Sequence, residues 1–267
     1  MARVGICLIG GVLLAAACLF ALYPSLDLEV ALHFVGGDPG RKFPLAGKSA
    51  FKILRQVNLA VPATVLAIVL TFTAIQLNRP RARIFIPPRV GLFVIAALAL
   101  GPGLLVNGLL KPFWPRPRPG SILQTGGSEP FMAWWDIGGT CTGNCSFVSG
   151  EVSVAFALLA IAAVMPAVLR RGAFAVVLVY GAAIAFMRVA AGAHFLSDVV
   201  FAAGLTALVV WLLHGLFFRW ERPGVSAAGA DAFARALNAI IVTAGRLIGG
   251  QWSLMRGGFV RRDAPHA

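Results

Sequence analysis

The chain has 267 residues, of which 59% are hydrophobic and 12% are charged, and its formal net charge is +13 at pH 7. This composition excludes an ordinary soluble globular protein. The excess of positive charge does not indicate nucleic-acid binding, because it lies mostly at the ends of apolar runs and no nucleic-acid motif accompanies it.

Six apolar runs are close to the length of roughly 20 residues that crosses a bilayer. The sequence therefore predicts an all-α polytopic membrane protein, a bundle of six transmembrane helices at 4–23, 57–77, 90–110, 149–169, 173–191 and 195–218. A cleaved secretory signal is the alternative for the first run, because Arg3 precedes it and AAAC at 15–18 approaches a lipoprotein cleavage site. The run continues to Tyr23, which favours a retained helix.

Basic residues in the connections predict the orientation of the bundle. Arginines cluster after the second, fourth and sixth helices, and the positive-inside rule places these clusters and both termini in the cytoplasm. The clusters are Arg79, Arg81, Arg83 and Arg89, then Arg170 and Arg171, then Arg219 and Arg222. The connections 25–56, 111–148 and 192–194 then face outward. Five basic residues of the first outward connection oppose this bias: Arg41, Lys42, Lys48, Lys52 and Arg55.

The character of the chain changes after Pro223, so we predict a membrane domain of residues 1–222 and a cytoplasmic tail of residues 223–267. Residues 230–256 show the periodicity of an amphipathic helix, with Asp231, Arg235 and Arg246 on its polar face. Its apolar face comprises Phe233, Leu237, Ile240, Ala244, Leu247 and Ile248. We expect this helix to lie on the cytoplasmic leaflet. A partner-binding helix is the alternative.

The four cysteines fall into two pairs. Cys7 and Cys18 lie in the first helix, where cysteine is an ordinary apolar filler. Cys141 and Cys145 close the segment CTGNC in an outward connection, where an oxidising periplasm would favour a disulfide. A metal site is the alternative, but it would need further ligands and none lies nearby in the sequence.

Charged residues at membrane depth are costly, and three groups of them meet on the outward side. The stretch KPFWPRPRPGS supplies Lys111, Arg116 and Arg118, helix four begins with Ser149, Gly150 and Glu151, and RVAAGAHFLSD supplies Arg188, His194 and Asp198. Singly, each has an ordinary explanation as a snorkelling cation, a helix cap or a structural histidine. Their convergence on one face favours a functional site.

These residue types suit phosphoryl transfer. Lys111, Arg118 and Arg188, with Ser149 and the first N–H groups of helix four, would bind a doubly charged oxyanion. Asp198 follows His194 by four residues, so on one helical turn its carboxylate could contact one ring nitrogen and leave the other free to attack. A histidine beside bound phosphate indicates covalent catalysis.

Three patterns resemble, in order and spacing, the signatures of the type 2 phosphatidic acid phosphatases, which share their site with vanadium haloperoxidases. They are Lys111-x6-Arg118-Pro119, Ser149-Gly150 and Arg188-x5-His194-x3-Asp198. The resemblance covers about residues 100–205 in detail. It implies that His194 is the nucleophile, that Asp198 orients it, and that no metal or other cofactor is required. It also implies that phosphate is bound by Lys111, Arg118, Ser149, Gly150 and Arg188.

Two positions depart from the family pattern. Met187 stands where the third signature usually has serine, and Glu151 stands where the family has the histidine that protonates the leaving oxygen. We hypothesise that Glu151 is the general acid and later the base that activates water. The alternative is an ion pair between Glu151 and an arginine, in a site that has lost or slowed its chemistry.

An outward site at the bilayer edge suits a lipid that carries phosphate, and the resemblance implies a lipid phosphatase. In a Gram-negative bacterium, lipid A phosphate is the first candidate, followed by undecaprenyl pyrophosphate and phosphatidylglycerol phosphate. We then expect an inner-membrane protein whose site faces the periplasm, with Trp114, Trp134 and Trp135 as interfacial anchors. Six spans argue against a soluble haloperoxidase. A lipid phosphotransferase and a catalytically silent lipid-binding or transport protein remain alternatives.

Overall fold

The computed structural model describes residues 2–37, 43–78, 86–221, 224–236, 239, 240 and 243. Within these residues all regular structure is helical, and the one β-type contact is an isolated bridge between Ile122 and Glu129. The predicted all-α class is confirmed.

Nine helices are described in chain order. They are α1 (Ala2–Leu22), α2 (Ser25–His33), α3 (Ser49–Asn78), α4 (Pro88–Phe113), α5 (Gly150–Ala157), α6 (Leu159–Val164), α7 (Ala167–Ala190), α8 (Leu196–His214) and α9 (227–236). Two stretches are π-helical, namely Ala99–Leu110 within α4 and Gly215–Arg219 directly after α8.

Among the described residues, five helices are long and apolar enough to cross a membrane, which makes the protein an integral, polytopic membrane protein. Their apolar parts are Gly5–Leu22, Ser49–Phe72, Pro88–Phe113, Ala167–Ala190 and Leu196–Arg219.

The fourth predicted span differs from the expected single helix of residues 149–169. It is the shorter segment Gly150–Val164, divided at Leu158 into α5 and α6, and its 15 residues extend about 22 Å. Met165 has extended backbone angles (ψ 151°), as a residue before proline prefers, and Pro166 therefore separates α6 from α7. The expectation of one continuous long helix here is wrong.

Helix α8 lies at the centre of the bundle and packs against α1, α4, α5 and α7. One buried apolar cluster, including Val152, Ile184 and Phe201, lies next to the site described below. A second, including Phe93 and Val210, fills the other half of the bundle. These two clusters fix the ends of the helices that carry the polar residues.

The connection 114–148 packs on the bundle through aromatic rings. The Trp114 and Phe147 ring centroids are 4.7 Å apart, those of Trp134 and Phe201 are 4.6 Å apart, and Trp114 Nε1 donates to the Trp134 carbonyl at 2.6 Å. Trp114 and Trp134 thus pack on the bundle beneath the connection, and the interfacial anchoring expected from the sequence stays a prediction. Trp135 is 43% exposed.

The predicted tail helix is described in part. Residues 227–236 are helical, with Ala230 and Ala234 buried and Phe233 exposed. Five further residues on which the tail prediction rests lie outside the described residues, namely Leu237, Ala244, Arg246, Leu247 and Ile248. Six of the basic residues used to predict the membrane orientation also lie outside the described residues, namely Arg41, Lys42, Arg79, Arg81, Arg83 and Arg222. The domain division at 222 and 223 stays a prediction.

Candidate active site

His194 lies in the short connection 191–195 between α7 and α8 and is 2% exposed. The connection turns at Gly192, whose φ of +65° favours glycine, and the Gly192 carbonyl accepts a hydrogen bond from Gly120 N at 2.9 Å. The Nδ1 atom of His194 lies 2.7 Å from the Ser146 carbonyl oxygen. Because a carbonyl only accepts, Nδ1 carries the proton and Nε2 keeps its lone pair.

Asp198 does not make the hydrogen bond to His194 that its spacing suggested. His194 precedes the first residue of α8, so the two side chains do not share a helical turn, and the distance from Nδ1 to Asp198 Oδ2 is 3.8 Å. Asp198 accepts instead from Ser146 Oγ, from Phe195 N at 2.8 Å and from Arg116. The carboxylate therefore acts on His194 at short range through its charge, while the Ser146 carbonyl orients the ring.

Burial lowers the pKa of His194 below that of an ordinary histidine, because it disfavours the charged ring. The nearby Asp198 raises this pKa in part, and the cations Arg188 and Arg118 lower it. Burial has the largest effect, so the imidazole is neutral and nucleophilic near neutral pH.

Lys111 and Arg118 are brought together by Asn144. Lys111 Nζ donates to Asn144 Oδ1 at 2.6 Å, and Arg118 Nε donates to the Asn144 carbonyl at 3.0 Å. Asn144 belongs to the segment that a disulfide between Cys141 and Cys145 closes. A neutral residue thus holds two cations side by side without cancelling their charge.

Ser149 and Gly150 form the start of α5. Ser149 is fully buried, and its Oγ caps the helix by accepting from Val152 N at 3.5 Å. A side chain at Gly150 would project toward Lys111, since an added Cβ would lie 3.6 Å from Lys111 Nζ and 3.2 Å from Asn107 Oδ1. Glycine at this position therefore leaves space between the start of α5 and the Lys111 ammonium.

Glu151 follows in the first turn of α5 and is paired with two arginines. Its Oε1 lies 3.0 Å from Arg55 Nε and 3.3 Å from an Arg188 terminal nitrogen. Two buried polar atoms here have no hydrogen-bond partner among the described residues, namely Glu151 Oε2 and Arg188 Nε. Buried polar groups are nearly always satisfied, so an unpaired acceptor and donor on neighbouring side chains mark a position for a polar ligand.

The structure thus gathers the residues named from the sequence at one end of the bundle, and it adds four others. Arg55 comes from α3, Asn144 and Ser146 from the connection 114–148, and Asp27 from α2, where it pairs with the buried Arg116. Within the described part of the chain, no group of three or more His, Cys, Asp or Glu side chains could hold a metal ion.

A neutral buried histidine beside several arginines and a lysine, at the end of a helical membrane bundle, defines an enzyme that handles phosphate at the membrane. Comparison with known proteins agrees. The sequence model of the PAP2 superfamily matches residues 90–222. No solved structure matches the chain.

Three curated relatives carry the name lipid A 4'-phosphatase. The protein from Francisella tularensis subsp. novicida is 33% identical over 205 residues, which cover 75% of this chain and 90% of the relative. The protein from Rhizobium leguminosarum is 34% identical, covering 74% and 89%, and that from Rhizobium etli is 32% identical, covering 74% and 80%. The chain belongs to the type 2 phosphatidic acid phosphatase (PAP2) family. It is a membrane lipid phosphatase, a phosphoric monoester hydrolase.

Proposed function

We propose that this phosphatase removes the 4'-phosphate of lipid A through a phosphohistidine at His194. The observation that carries the proposal is the unpaired Nε donor of buried Arg188, in a site where His194 keeps the Nε2 lone pair. A phosphate that accepts from Arg188 Nε would satisfy this donor within range of the nucleophile. The names of the three relatives support lipid A as the substrate.

In the proposed site, Lys111, Arg118 and Arg188 contact the phosphate oxygens, and the N–H groups at Gly150 and the Ser149 hydroxyl donate to them. In the transition state of transfer, the phosphoryl group spreads negative charge over its equatorial oxygens, and fixed cations stabilise that charge. Arg118 also lies within electrostatic range of Glu151, Asp198 and Arg55, as expected for one compact site.

The first chemical step begins with the Nε2 lone pair of His194. Nε2 forms a bond to phosphorus while the bond from phosphorus to the sugar oxygen breaks, and the electron pair leaves with that oxygen. We propose that Glu151 supplies the proton from Oε2, the oxygen without a hydrogen-bond partner. In the second step Glu151 takes a proton from water, and the water oxygen bonds to phosphorus while the bond from phosphorus to Nε2 breaks. The electron pair returns to Nε2 of His194, and inorganic phosphate leaves.

Glu151 must carry a proton to act as an acid, and in the structure its Oε1 is paired with Arg55 and Arg188. A bound phosphate dianion would pair with both arginines and release Glu151 from them. In the proposed cycle, Glu151 is therefore paired with the two arginines before phosphate binds and acts as the proton donor after phosphate has bound.

A polar cavity of about 470 Å³ opens beside Arg118. Among its lining residues are Ser121, Ser128, Glu129 and Asn144, which offer hydroxyl, carboxylate and amide groups. Such a lining suits the sugar that carries the phosphate, while the apolar helices suit its acyl chains. We accordingly propose an inner-membrane protein whose site faces the periplasm.

The proposal is tested by phosphate release from the purified protein in detergent with a chelator present. Lipid A, undecaprenyl pyrophosphate, phosphatidylglycerol phosphate and phosphatidic acid are compared, and mass spectrometry identifies which lipid A phosphate is lost. We expect loss of the 4'-phosphate, no release by His194→Ala, and full activity in the control His33→Ala, which replaces an exposed histidine of α2. Faster phosphate release from another lipid would contradict lipid A as the substrate. A phosphorylated lipid product in place of free phosphate would indicate a phosphotransferase.

A further inference from the structure

Asp27 is a buried carboxylate in a part of the chain that the PAP2 sequence model does not match. It lies in α2, whereas the matched residues begin at 90, and it is 2% exposed. A carboxylate in such surroundings is costly unless it is paired and hydrogen-bonded. Its partners therefore indicate why it is there.

Asp27 and Asp198 share one arginine. Arg116 is fully buried, and its two terminal nitrogens reach Asp27 Oδ2 at 2.8 Å and Asp198 Oδ1 at 2.6 Å. Ser197 donates to Asp27 from its backbone nitrogen at 2.8 Å and from its hydroxyl at 2.5 Å. The guanidinium also lies over the Phe195 ring, 4.2 Å from its centroid. The cluster lies beside His194, because Asp198 Oδ2 is 3.8 Å from His194 Nδ1.

The charges of this cluster do not cancel. Arg116 and Asp198 alone would form a neutral pair, and the Asp198 carboxylate would have little net effect on His194. Burial raises the pKa of Asp27 above that of an ordinary aspartate, Arg116 opposes this shift, and Asp198 adds to it. In its ionised form, paired with Arg116, Asp27 places two carboxylates against one guanidinium, and the cluster carries one net negative charge. Asp198 Oδ2 is the part of this cluster that lies 3.8 Å from His194 Nδ1.

The proposed reaction needs such a charge. When Nε2 bonds to phosphorus while Nδ1 keeps its proton, the neutral ring becomes a phosphorylated imidazolium and gains a positive charge. A fixed negative charge at short distance in a dry site stabilises that state more than the neutral ring before attack.

We propose that Asp27 is a positioning residue for the phosphatase reaction, which pairs with Arg116 so that the charge of Asp198 remains available to His194. This inference rests on the proposed function, because it takes His194 as the nucleophile.

The other charged groups around His194 act in the opposite direction or are remote from Asp27. Arg118 of the connection 114–148 and Arg188 of α7 both lower the pKa of His194, while burial lowers it most. Lys111, Glu151 and Arg55 belong to the phosphate side of the site through Asn144 and Arg188. Replacing Asp27 leaves all five of these groups unchanged.

The test uses the full chain in detergent, with lipid A as the substrate and the pH dependence of kcat/KM as the main readout. Asp27→Asn keeps the shape of the side chain and removes its charge. We expect kcat to fall by about 10-fold or more, KM to change little, and the acidic limb to move to lower pH, because a less negative cluster binds the His194 proton more weakly. The matched control is Glu29→Gln, which removes an exposed carboxylate from the same helix.

A second variant distinguishes charge from shape and guards against misfolding of the first. Asp27→Asn combined with Arg116→Gln leaves Asp198 as the one charge of the cluster and restores its net value. We expect the acidic limb of this double variant to return toward that of the wild type. The inference would be overturned if the acidic limb of the kcat/KM profile stayed at its wild-type pH in both variants, or if Asp27→Asn raised KM and left kcat unchanged. Failure of the proposed function would show differently, as an active His194→Ala or an inactive wild type.

Discussion

Oε1 of Glu151, in the first turn of α5, lies 3.0 Å from Nε of Arg55 in α3. This ion pair joins a residue that replaces the family's usual histidine to a cation from outside the three family patterns. It joins the N-terminal part of α3 to the start of α5 and holds Glu151 beside Arg188.

The first prediction concerns Glu151 as the proton donor and acceptor. Glu151→Gln keeps the size of the side chain but removes its ability to exchange a proton, so we expect kcat to fall by about 10²- to 10⁴-fold. Steady-state phosphate release measures this, with Glu221→Gln, an exposed carboxylate, as the control. Full activity in Glu151→Gln would contradict the role of Glu151 as proton donor and acceptor, and only its ion pairs with Arg55 and Arg188 would remain.

The second prediction concerns pH. Because burial lowers the pKa of His194, the neutral nucleophile persists into mildly acidic solution, and we expect the acidic limb of kcat/KM below pH about 6.5, the ordinary histidine value. A limb above that value would contradict the buried, neutral ring.

The same lowered pKa has a consequence for stability. Below pH about 6.5 the unfolded chain binds a proton at His194 that the folded chain still excludes, so the free energy of unfolding falls as pH decreases through this range. Thermal denaturation at a series of pH values measures the slope. His194→Gln, which cannot titrate, should show a smaller one.

The third prediction concerns Asn144, which holds Lys111 and Arg118 with neutral oxygens. Asn144→Asp would place a carboxylate against two proposed phosphate ligands and compete with phosphate, so we expect KM and the inhibition constant of inorganic phosphate to rise by about 10-fold. Asn144→Ala retains the carbonyl that Arg118 contacts, and its effect should be smaller. Gln124→Ala, an exposed change elsewhere in the same connection, serves as the control.

The fourth prediction concerns the Cys141–Cys145 disulfide, which closes the segment that carries Asn144. Reduction should loosen this segment and raise KM with little change in kcat, because the nucleophile is held elsewhere. Cys141→Ser combined with Cys145→Ser should have the same raised KM and no further response to reductant. Cys7→Ser combined with Cys18→Ser should respond like the wild type.

The sequence predicted well what depends on apolar length and on local motifs. Five of the six expected spans correspond to long apolar helices. The length of the fourth is shorter than predicted, because the apolar run continues through Leu158 and Pro166 although the helix is interrupted there. The structure brings Lys111, Arg118, Glu151 and Arg188 to the same end of the bundle as His194.

The residues that sequence reasoning missed act across long separations. Asp27 reaches Arg116 across 89 positions, and Lys111 reaches Asn144 across 33, and no periodicity encodes such pairs. Two signals were present nonetheless. Arg55 is one of the basic residues that oppose the positive-inside bias, and Asp27 is a carboxylate between two apolar segments; each such residue calls for a partner. The sequence could indicate that partners exist but not which ones.

The hydrogen bond that orients His194 comes from the main chain of Ser146 and not from a side chain. Replacing Ser146 by alanine would therefore remove its hydroxyl contact with Asp198 but leave the carbonyl that fixes the ring. The orientation of the His194 ring therefore depends on the backbone path of the connection and not on the side chain at position 146. A change of residue type at this position should leave the orientation intact, whereas an insertion or deletion that moves the Ser146 carbonyl should disturb it.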